Sequence, residues 1–410
     1  MSSLSQTSGL ERYAALFNAP SVRQVVGAGA IGRLPLGMLP LGSVLLVRGA
    51  GNSYAVVGVV VAALSLATAV SSPVIGRLAD RIGLVRVLVP LAILFPISVS
   101  ALVLLATQHG PTIATVACAA ATGAAQPPIG ACIRSLWPSM LPRQDLRETA
   151  FALEAWLQEL SFVFGPVLVG GIAAVGSPAL GMLAAGALTF VGTIWFVLTP
   201  PARAASVNLH TGPRSRKGAL GSAGVRTVIM SCALVGISFG TVEVTMPAFA
   251  ELHGTRAQGG IILTCFATGS LIGGIWVGTR RVPSRPDLRF AGMLALLGLT
   301  LLPPLVAPSL VVMCAIMLFA GMPIAPAIAS SYALVDRLAH AGTSTEAFAW
   351  LTTAIVTGMS LGTAVGGVVI ERSGPIWALA VAGPASLGAA LVVFALRESL
   401  RERAVIPSRS

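Results

Sequence analysis

Twelve predominantly apolar stretches, each long enough to cross a lipid bilayer, dominate this chain. They lie at about 24–46, 54–75, 87–107, 111–133, 150–173, 177–198, 226–248, 257–279, 289–307, 309–331, 347–370 and 375–396, numbered here spans 1 to 12. A helix rises about 1.5 Å per residue, so roughly 20 apolar residues cover the hydrocarbon core. Hydrocarbon offers backbone amides no partner, so each crossing segment must satisfy its own hydrogen bonds as a helix. Barrel strands are excluded, because their signature is alternation in units of about ten residues. Composition agrees. Hydrophobic residues make up 55% of the 410, charged residues only 10%, and the mean hydropathy is +0.88. A soluble chain of this length needs far more charge to cover its surface. The expected fold class is an all-α membrane protein with the lipid bilayer as its surroundings.

The formal net charge of +12 does not point to nucleic acid. The basic residues are scattered between apolar runs, with no separate basic domain. Their placement orients the chain instead. With both termini on one side, 22 of the 26 basic residues fall on that side. Arg48, Arg256 and Arg372 fall on the other, and Arg33 lies within span 1. The positive-inside rule then makes both termini cytoplasmic. A composition rich in Arg, Ala and Gly suits a GC-rich bacterial genome, hence the inner membrane of a bacterial cell. The five cysteines sit in apolar runs without metal-ligand spacing, so no metal site is expected. His109, His210, His253 and His340 sit in or beside loops. The sequence contains no phosphate-binding loop, zinc motif or nucleotide fingerprint. No cofactor and no catalytic cluster are expected, and the energy source would be an ion gradient. The N-terminus lacks the basic region and small-residue cleavage site of a signal peptide.

The longest polar connection, residues 199–224, is rich in Pro, Gly, Ser and Arg and reads as a cytoplasmic linker. It divides the chain into a six-helix bundle at 1–198 and a second at 225–410. The halves repeat weakly. "TAFALEAW" at 149 and "EAFAWLTT" at 346 share Ala-Phe-Ala, and at the same offset Gly165 matches Gly362 and Gly170 matches Gly367. "GAAQPP" at 123 and "GMPIAP" at 321 share a Gly and a Pro five apart. Two six-helix halves in tandem are a transporter architecture.

The connection between spans 2 and 3 reads "GRLADRIGLVRVL", residues 76–88. Through Gly76, Leu78, Ala79, Asp80, Arg81, Gly83 and Arg86 it resembles the signature loop of the major facilitator superfamily. It departs at Ile82, Leu84 and Val85, which leaves fewer cations than that pattern carries. Span 5 carries "FGPVLVGG", which resembles the Gly-Pro-x-x-Gly-Gly mark of exporters in that superfamily, with one extra residue before Gly170 and Gly171. The resemblance implies two six-helix halves related by a pseudo-two-fold axis and a monomer that moves a small-molecule solute, with protons as co-substrate. It also implies that Asp80 contacts span 11 of the other half, which starts near Glu346, and latches the cytoplasmic side shut. The alternative is that Arg77, Arg81 and Arg86 merely set topology. Gly165, Pro166, Gly170 and Gly171 read either as the exporter mark or as ordinary small-residue packing.

A charge at mid-bilayer costs about 2.5–3.5 kcal/mol even on the lenient scale, so it persists where it is paired or faces a cavity. Arg33, Glu159 and Glu243 lie well inside predicted spans, and Glu154 lies about one turn inside span 5. Arg33 and Glu159 share a depth of roughly 14 Å, which predicts that they face each other or share one polar cavity. Glu243 has no cation at its own depth, the setting a proton-coupling or cation-recognising carboxyl needs. Prolines 35, 40, 127, 128, 323 and 326 interrupt spans 1, 4 and 10, and Gln126, beside the pair in span 4, joins Arg33, Glu159 and Glu243 as a candidate for coupling or substrate binding. The resemblance places spans 1, 4, 7 and 10 around a central cavity, with Met38, Phe239, Met246 and Met322 as candidate lining. Two functions follow: proton-driven export of a small organic solute, or uptake of an anionic or sugar-like solute with Arg33 as ligand. A membrane enzyme would need a catalytic cluster that the sequence lacks.

Overall fold

A computed structural model describes residues 9–207, 218–253, 258–278 and 285–401. His210, Arg214, Arg216, Lys217, Arg256, Arg280, Arg281, Arg403 and Arg409 lie outside the described residues. All regular structure among the described residues is helical. After a short helix α1 (Gly9–Asn18), span 1 is built from α2 (Val22–Arg33) and α3 (Pro35–Gly49). Span 2 is α4 (Tyr54–Ile82) and span 3 is α5 (Leu84–Thr107). Span 4 combines α6 (Thr112–Ala124) and α7 (Ile129–Met140). Spans 5 and 6 are α8 (Gln144–Val175) and α9 (Pro178–Leu198). A short α10 (Pro200–Val207) and a 3₁₀ turn (Gly218–Gly221) follow. Spans 7 to 9 are α11 (Ala223–His253), α12 (Gly259–Gly278) and α13 (Pro286–Thr300). Span 10 joins α14 (Leu310–Gly321) to α15 (Ile324–Leu338), and α16 (Ser344–Ser373) and α17 (Pro375–Ala395) complete the set. All twelve are long and apolar enough to cross a membrane.

Spans 1, 4 and 10 are interrupted where the prolines fall. Proline donates no N–H and clashes with the preceding turn. The breaks come at Leu34 before Pro35, at 125–128 around Pro127 and Pro128, and at Met322–Pro323. Serines at three turns, Ser53, Ser177 and Ser309, accept hydrogen bonds from the Val56, Leu180 and Val312 amides and start the helices that follow. The described parts of the connection at 199–224 carry helical structure that a Pro/Gly/Ser composition does not predict. α10 packs back on α5 and α9, and the 3₁₀ turn packs on α11 and α16.

Within a half, small residues set the closest helix contacts. A Cβ on Gly165 of α8 would lie 2.7 Å from Gly37 Cα and 2.8 Å from Met38 N, so the backbones of α3 and α8 touch there. The other half repeats the device. A Cβ on Gly362 of α16 would lie 2.8 Å from the Ile237 carbonyl carbon of α11. Gly165 and Gly362 are the pair that match in the internal repeat, so the repeat preserves a helix crossing. Gly170 and Gly171 differ, since nothing lies within 4 Å of a Cβ at either. The reading of that four-residue set as one packing motif is corrected: of its glycines only Gly165 packs, because Gly170 and Gly171 face other sides of α8, while Val169, one turn after Gly165, stays buried against α3 and α9.

The halves meet chiefly through α4 with α16, α8 with α12 and α15, and α7 with α16. Lipid-facing positions such as Leu66, Val70, Ile97, Val191 and Phe394 remain exposed, which only an apolar solvent accepts at this density. Both described chain ends lie at the same end of the bundle as α10 and the 3₁₀ turn; this is called the linker end below.

Gly165→Val should push α3 from α8 and lower the thermal midpoint of detergent-solubilised protein, since overpacking costs about 1–3 kcal/mol. Gly170→Val should leave it unchanged. Size-exclusion detection after a heating series would check both.

Candidate functional site

Between the halves lies a cavity of about 730 Å³. Its walls come from α3, α4 and α8 of the first half and α11, α12, α15 and α16 of the second. Most of the lining is apolar, with Leu, Val, Ile and Phe its largest share. The acidic groups on its wall are Glu159 of α8 and Glu243 of α11, one from each half. Glu243 is exposed to the cavity and Glu159 is half-buried. Neither carries an ion pair or a side-chain hydrogen bond among the described residues. Of the four residues expected to supply apolar lining, only Phe239 does. Met38 and Met246 are wholly buried in helix packing, and Met322 packs its carbonyl against Gly273 at the break in span 10.

A smaller pocket of about 60 Å³ continues the cavity toward the linker end. Leu36, Thr68, Gln126, Gln158, Thr352 and Val356 line both. The break in span 4 shapes this floor. Pro127, Pro128, Ile129 and Gly130 border it, and the Thr68 hydroxyl lies 3.2 Å from both Gln126 Oε1 and the Gly123 carbonyl oxygen.

Arg33 borders the floor, but its partner is not Glu159. Its Nη2 donates to Glu154 Oε1 at 3.2 Å and Oε2 at 2.9 Å, and its Nε donates to the Gly29 carbonyl at 2.9 Å. Both side chains are buried, at 1% and 0% exposure. The expected Arg33–Glu159 pairing is therefore corrected: Glu154, about one turn inside span 5, is the partner. The reason is azimuth. Five residues turn an α-helix by about 140°, so Glu154 and Glu159 point to different sides of α8. Equal depth brought Glu159 to mind, whereas the long arginine side chain reaches back about one turn to Glu154.

A second buried cation was missed. Arg134 of α7 is 1% exposed, although its position near the end of span 4 suggested a loop. The break at Pro127–Pro128 lets span 4 run on to Met140, so Arg134 sits mid-helix. Its guanidinium carbon lies 4.4 Å from the Tyr332 ring centroid and 5.7 Å from that of Phe348, and its Nη2 donates to Thr352 Oγ1 at 3.3 Å. The usable signal was the Pro-Pro pair, which displaces the helix end.

At the linker end, Asp80 near the C-terminus of α4 reaches the first turn of α16. Its Oδ1 accepts from the Thr345 amide at 3.1 Å and its Oδ2 from the Glu346 amide at 2.9 Å. A carboxylate there satisfies orphan amides and faces the positive end of the helix dipole. Gly76 permits the approach, because a Cβ there would stand 2.9 Å from the Thr345 carbonyl oxygen and 3.0 Å from Glu346 Cα. Gly83 turns α4 into α5 at φ 101°, a conformation side chains rarely adopt. Arg77 approaches Glu346 at 3.9 Å, whereas Arg81 and Arg86 are exposed. Glu148 joins the halves again, with Arg337 at 3.1 Å and Arg289 at 3.9 Å, and Arg147 meets Asp336 at 3.4 Å. The linker end is thus closed, and the cavity lies toward the other end.

Two overlapping matches to the model of the Major Facilitator Superfamily, over residues 25–345 and 228–409, take in nearly all of these elements. The chain belongs to that superfamily. Solved structures of the same fold agree. The human organic anion transporter MFSD10 (TETRAN) superposes with a TM-score of 0.69 at 16% identity, over 90% of this chain and 99% of that one. A bacterial homologue of the iron transporter ferroportin, in an outward-facing state, gives 0.74 at 14% identity, over 92% and 99%. The proton:xylose symporter XylE gives 0.66 at 14% identity, over 94% and 96%. No curated protein matches the sequence. Members of the superfamily are multi-pass membrane transporters.

Removing one partner of the buried pair should be costly. Glu154→Leu leaves Arg33 uncompensated and is expected to destabilise this transporter by about 3–5 kcal/mol. Arg33→Met with Glu154→Leu should recover most of that loss in the same heating assay.

Proposed function

We propose that this protein is a secondary active transporter that exports a small organic solute in exchange for protons. The observation that carries this reading is the placement of Glu159 and Glu243 on one mostly apolar cavity, from opposite halves, with no cation beside either among the described residues. A carboxyl group in that setting gains and loses a proton as access alternates. A solute held by the same wall then competes with the proton, which is the basis of antiport. Uptake of an anionic solute on Arg33 has less support, because Glu154 already occupies that guanidinium.

The halves 1–198 and 225–410 would rock about the cavity, with 199–224 as their connection. Asp80 would act as the latch of the linker end, held to α16 when the other end opens. Gly76 and Gly83 would serve it by close approach and turn, and Arg81 and Arg86 would keep that end in a charged surface. Among the described residues, Arg48 and Arg372 end helices at the far side, whereas the linker end is rich in arginine. That bias supports cytoplasmic termini in a bacterial inner membrane. The unit of transport would be a monomer.

In proteoliposomes with an imposed pH gradient, adding ethidium or tetraphenylphosphonium should dissipate the gradient. Glu243→Gln should abolish that coupling, and Glu159→Gln should weaken it. An unchanged proton flux in both variants would overturn the assignment. Asp80→Asn should slow turnover by on the order of tenfold, since a carboxylate at a helix N-terminus is worth up to about 2 kcal/mol. Stopped-flow transport assays would read the difference.

A further inference from the structure

We propose that the floor pocket beneath the cavity is a binding site for a small anionic group, of carboxylate or halide size, with Arg134 as its principal ligand. This site is separate from the proton-carrying wall and does not depend on the direction of transport.

Charge comes first. Arg33 and Arg134 both border the pocket, and both are buried to 1% exposure. Glu154 neutralises Arg33. No carboxylate pairs with Arg134 among the described residues. Its neighbours are the faces of Tyr332 and Phe348, which attract a cation without cancelling its charge. The floor therefore carries one uncompensated positive charge out of water, a situation that folded proteins relieve with a partner anion.

Hydrogen bonding points the same way. Of the guanidinium nitrogens, Nη2 donates to Thr352, while Nε and Nη1 are buried and have no acceptor among the described residues. Nε carries one N–H and Nη1 carries two, and a guanidinium fork suits an anion with two acceptor positions.

The backbone adds a third, independent element. α7 starts at the same pocket, and its N-cap residue, Pro128, provides no side-chain cap. The Ile129 amide donates to the Pro127 carbonyl at 2.9 Å, which leaves the Gly130 and Ala131 amides of the first turn for another acceptor, and the helix dipole presents its positive end there. Gly130 keeps the two donors together. A Cβ on Gly130 would stand 3.3 Å from Arg134 Nη1, so the guanidinium folds over the first turn of its own helix. Gln126 and Gln158 contribute amides, and Thr352 contributes a hydroxyl from the other half. A volume of about 60 Å³ admits a chloride, a formate or the carboxylate end of a longer solute, and little more. Because α7 and α16 belong to different halves, an anion held here would favour the conformer that is closed at the linker end.

The test uses purified full-length protein in detergent, in sodium gluconate at fixed ionic strength, with gluconate replaced stepwise by chloride, formate or benzoate. The midpoint of thermal unfolding should rise saturably by several degrees with chloride or formate. Chloride-35 NMR should show line broadening that formate reverses. In Arg134→Gln both effects should vanish, and the variant should match or exceed the wild type's stability in gluconate. If Arg134→Gln does not fold, Arg134→Lys should keep a weakened response and Thr352→Val should raise the half-saturating concentration. A benzoate response stronger than formate would assign the site to the carboxylate of a solute extending into the large cavity. Equal or weaker benzoate would assign it to a free ion. A wild-type midpoint indifferent to all three anions, or an undiminished response in Arg134→Gln, would overturn the proposal. Neither reading involves proton flux, so failure here and failure of the exchange reaction are separately visible.

Discussion

Hydrocarbon cannot hydrogen-bond, and nearly every feature of this protein follows from that constraint. It forces twelve helices, since only a helix satisfies its backbone internally. It confines irregular backbone to the breaks at Leu34, Pro127–Pro128 and Met322–Pro323, all of which face protein or a cavity rather than lipid. It also requires each ionisable group at depth to be paired or to face a polar space. Arg33 and Glu154 meet that demand by pairing. Glu159 and Glu243 meet it by facing the cavity. Arg134 meets it only in part, with two aromatic faces and one hydroxyl.

Helix packing inside the bundle rests on a different force. Lipid tails are as apolar as leucine, so burial alone gives helices little reason to associate. Close backbone approach replaces it. Gly37 with Gly165, and Gly236 and Gly240 with Gly358 and Gly362, bring main chains into contact in both halves. The same crossing recurs at matched positions of the internal repeat, so a faint glycine match at fixed offset marks a real structural equivalence.

Spans, breaks and repeat were legible because hydropathy and proline act locally, over one helix at a time. The site was legible only along one coordinate. Depth comes from counting residues, and it placed Arg33 and Glu159 near the same level. Azimuth depends on how α8 turns relative to α2, and no residue in either helix encodes it alone. Arg134 was lost for a related reason: the Pro-Pro pair was read only as an interruption of span 4, whose end lies seven residues further on, at 140 instead of 133. The partner of Asp80 was placed near Glu346 by resemblance, yet the atoms that receive it are main-chain amides, for which no side-chain pattern exists.

That last contact has a consequence for how the gate can vary over time. A latch made between two side chains can be lost by changing either one. Here one partner is the exposed amide edge of a helix start, which every amino acid except proline supplies equally. The two amide hydrogen bonds to Asp80 therefore do not depend on side-chain identity at 345 and 346, which burial and the contacts of Thr345 with Ser135 and of Glu346 with Arg77 constrain separately. This one contact between the halves is borne by one mutable position rather than two, unlike the side-chain ion pairs of Glu148 and Arg147 beside it. Covariation between α4 and α16, the usual trace of an inter-half contact, should be faint at the place where the halves are held most directly.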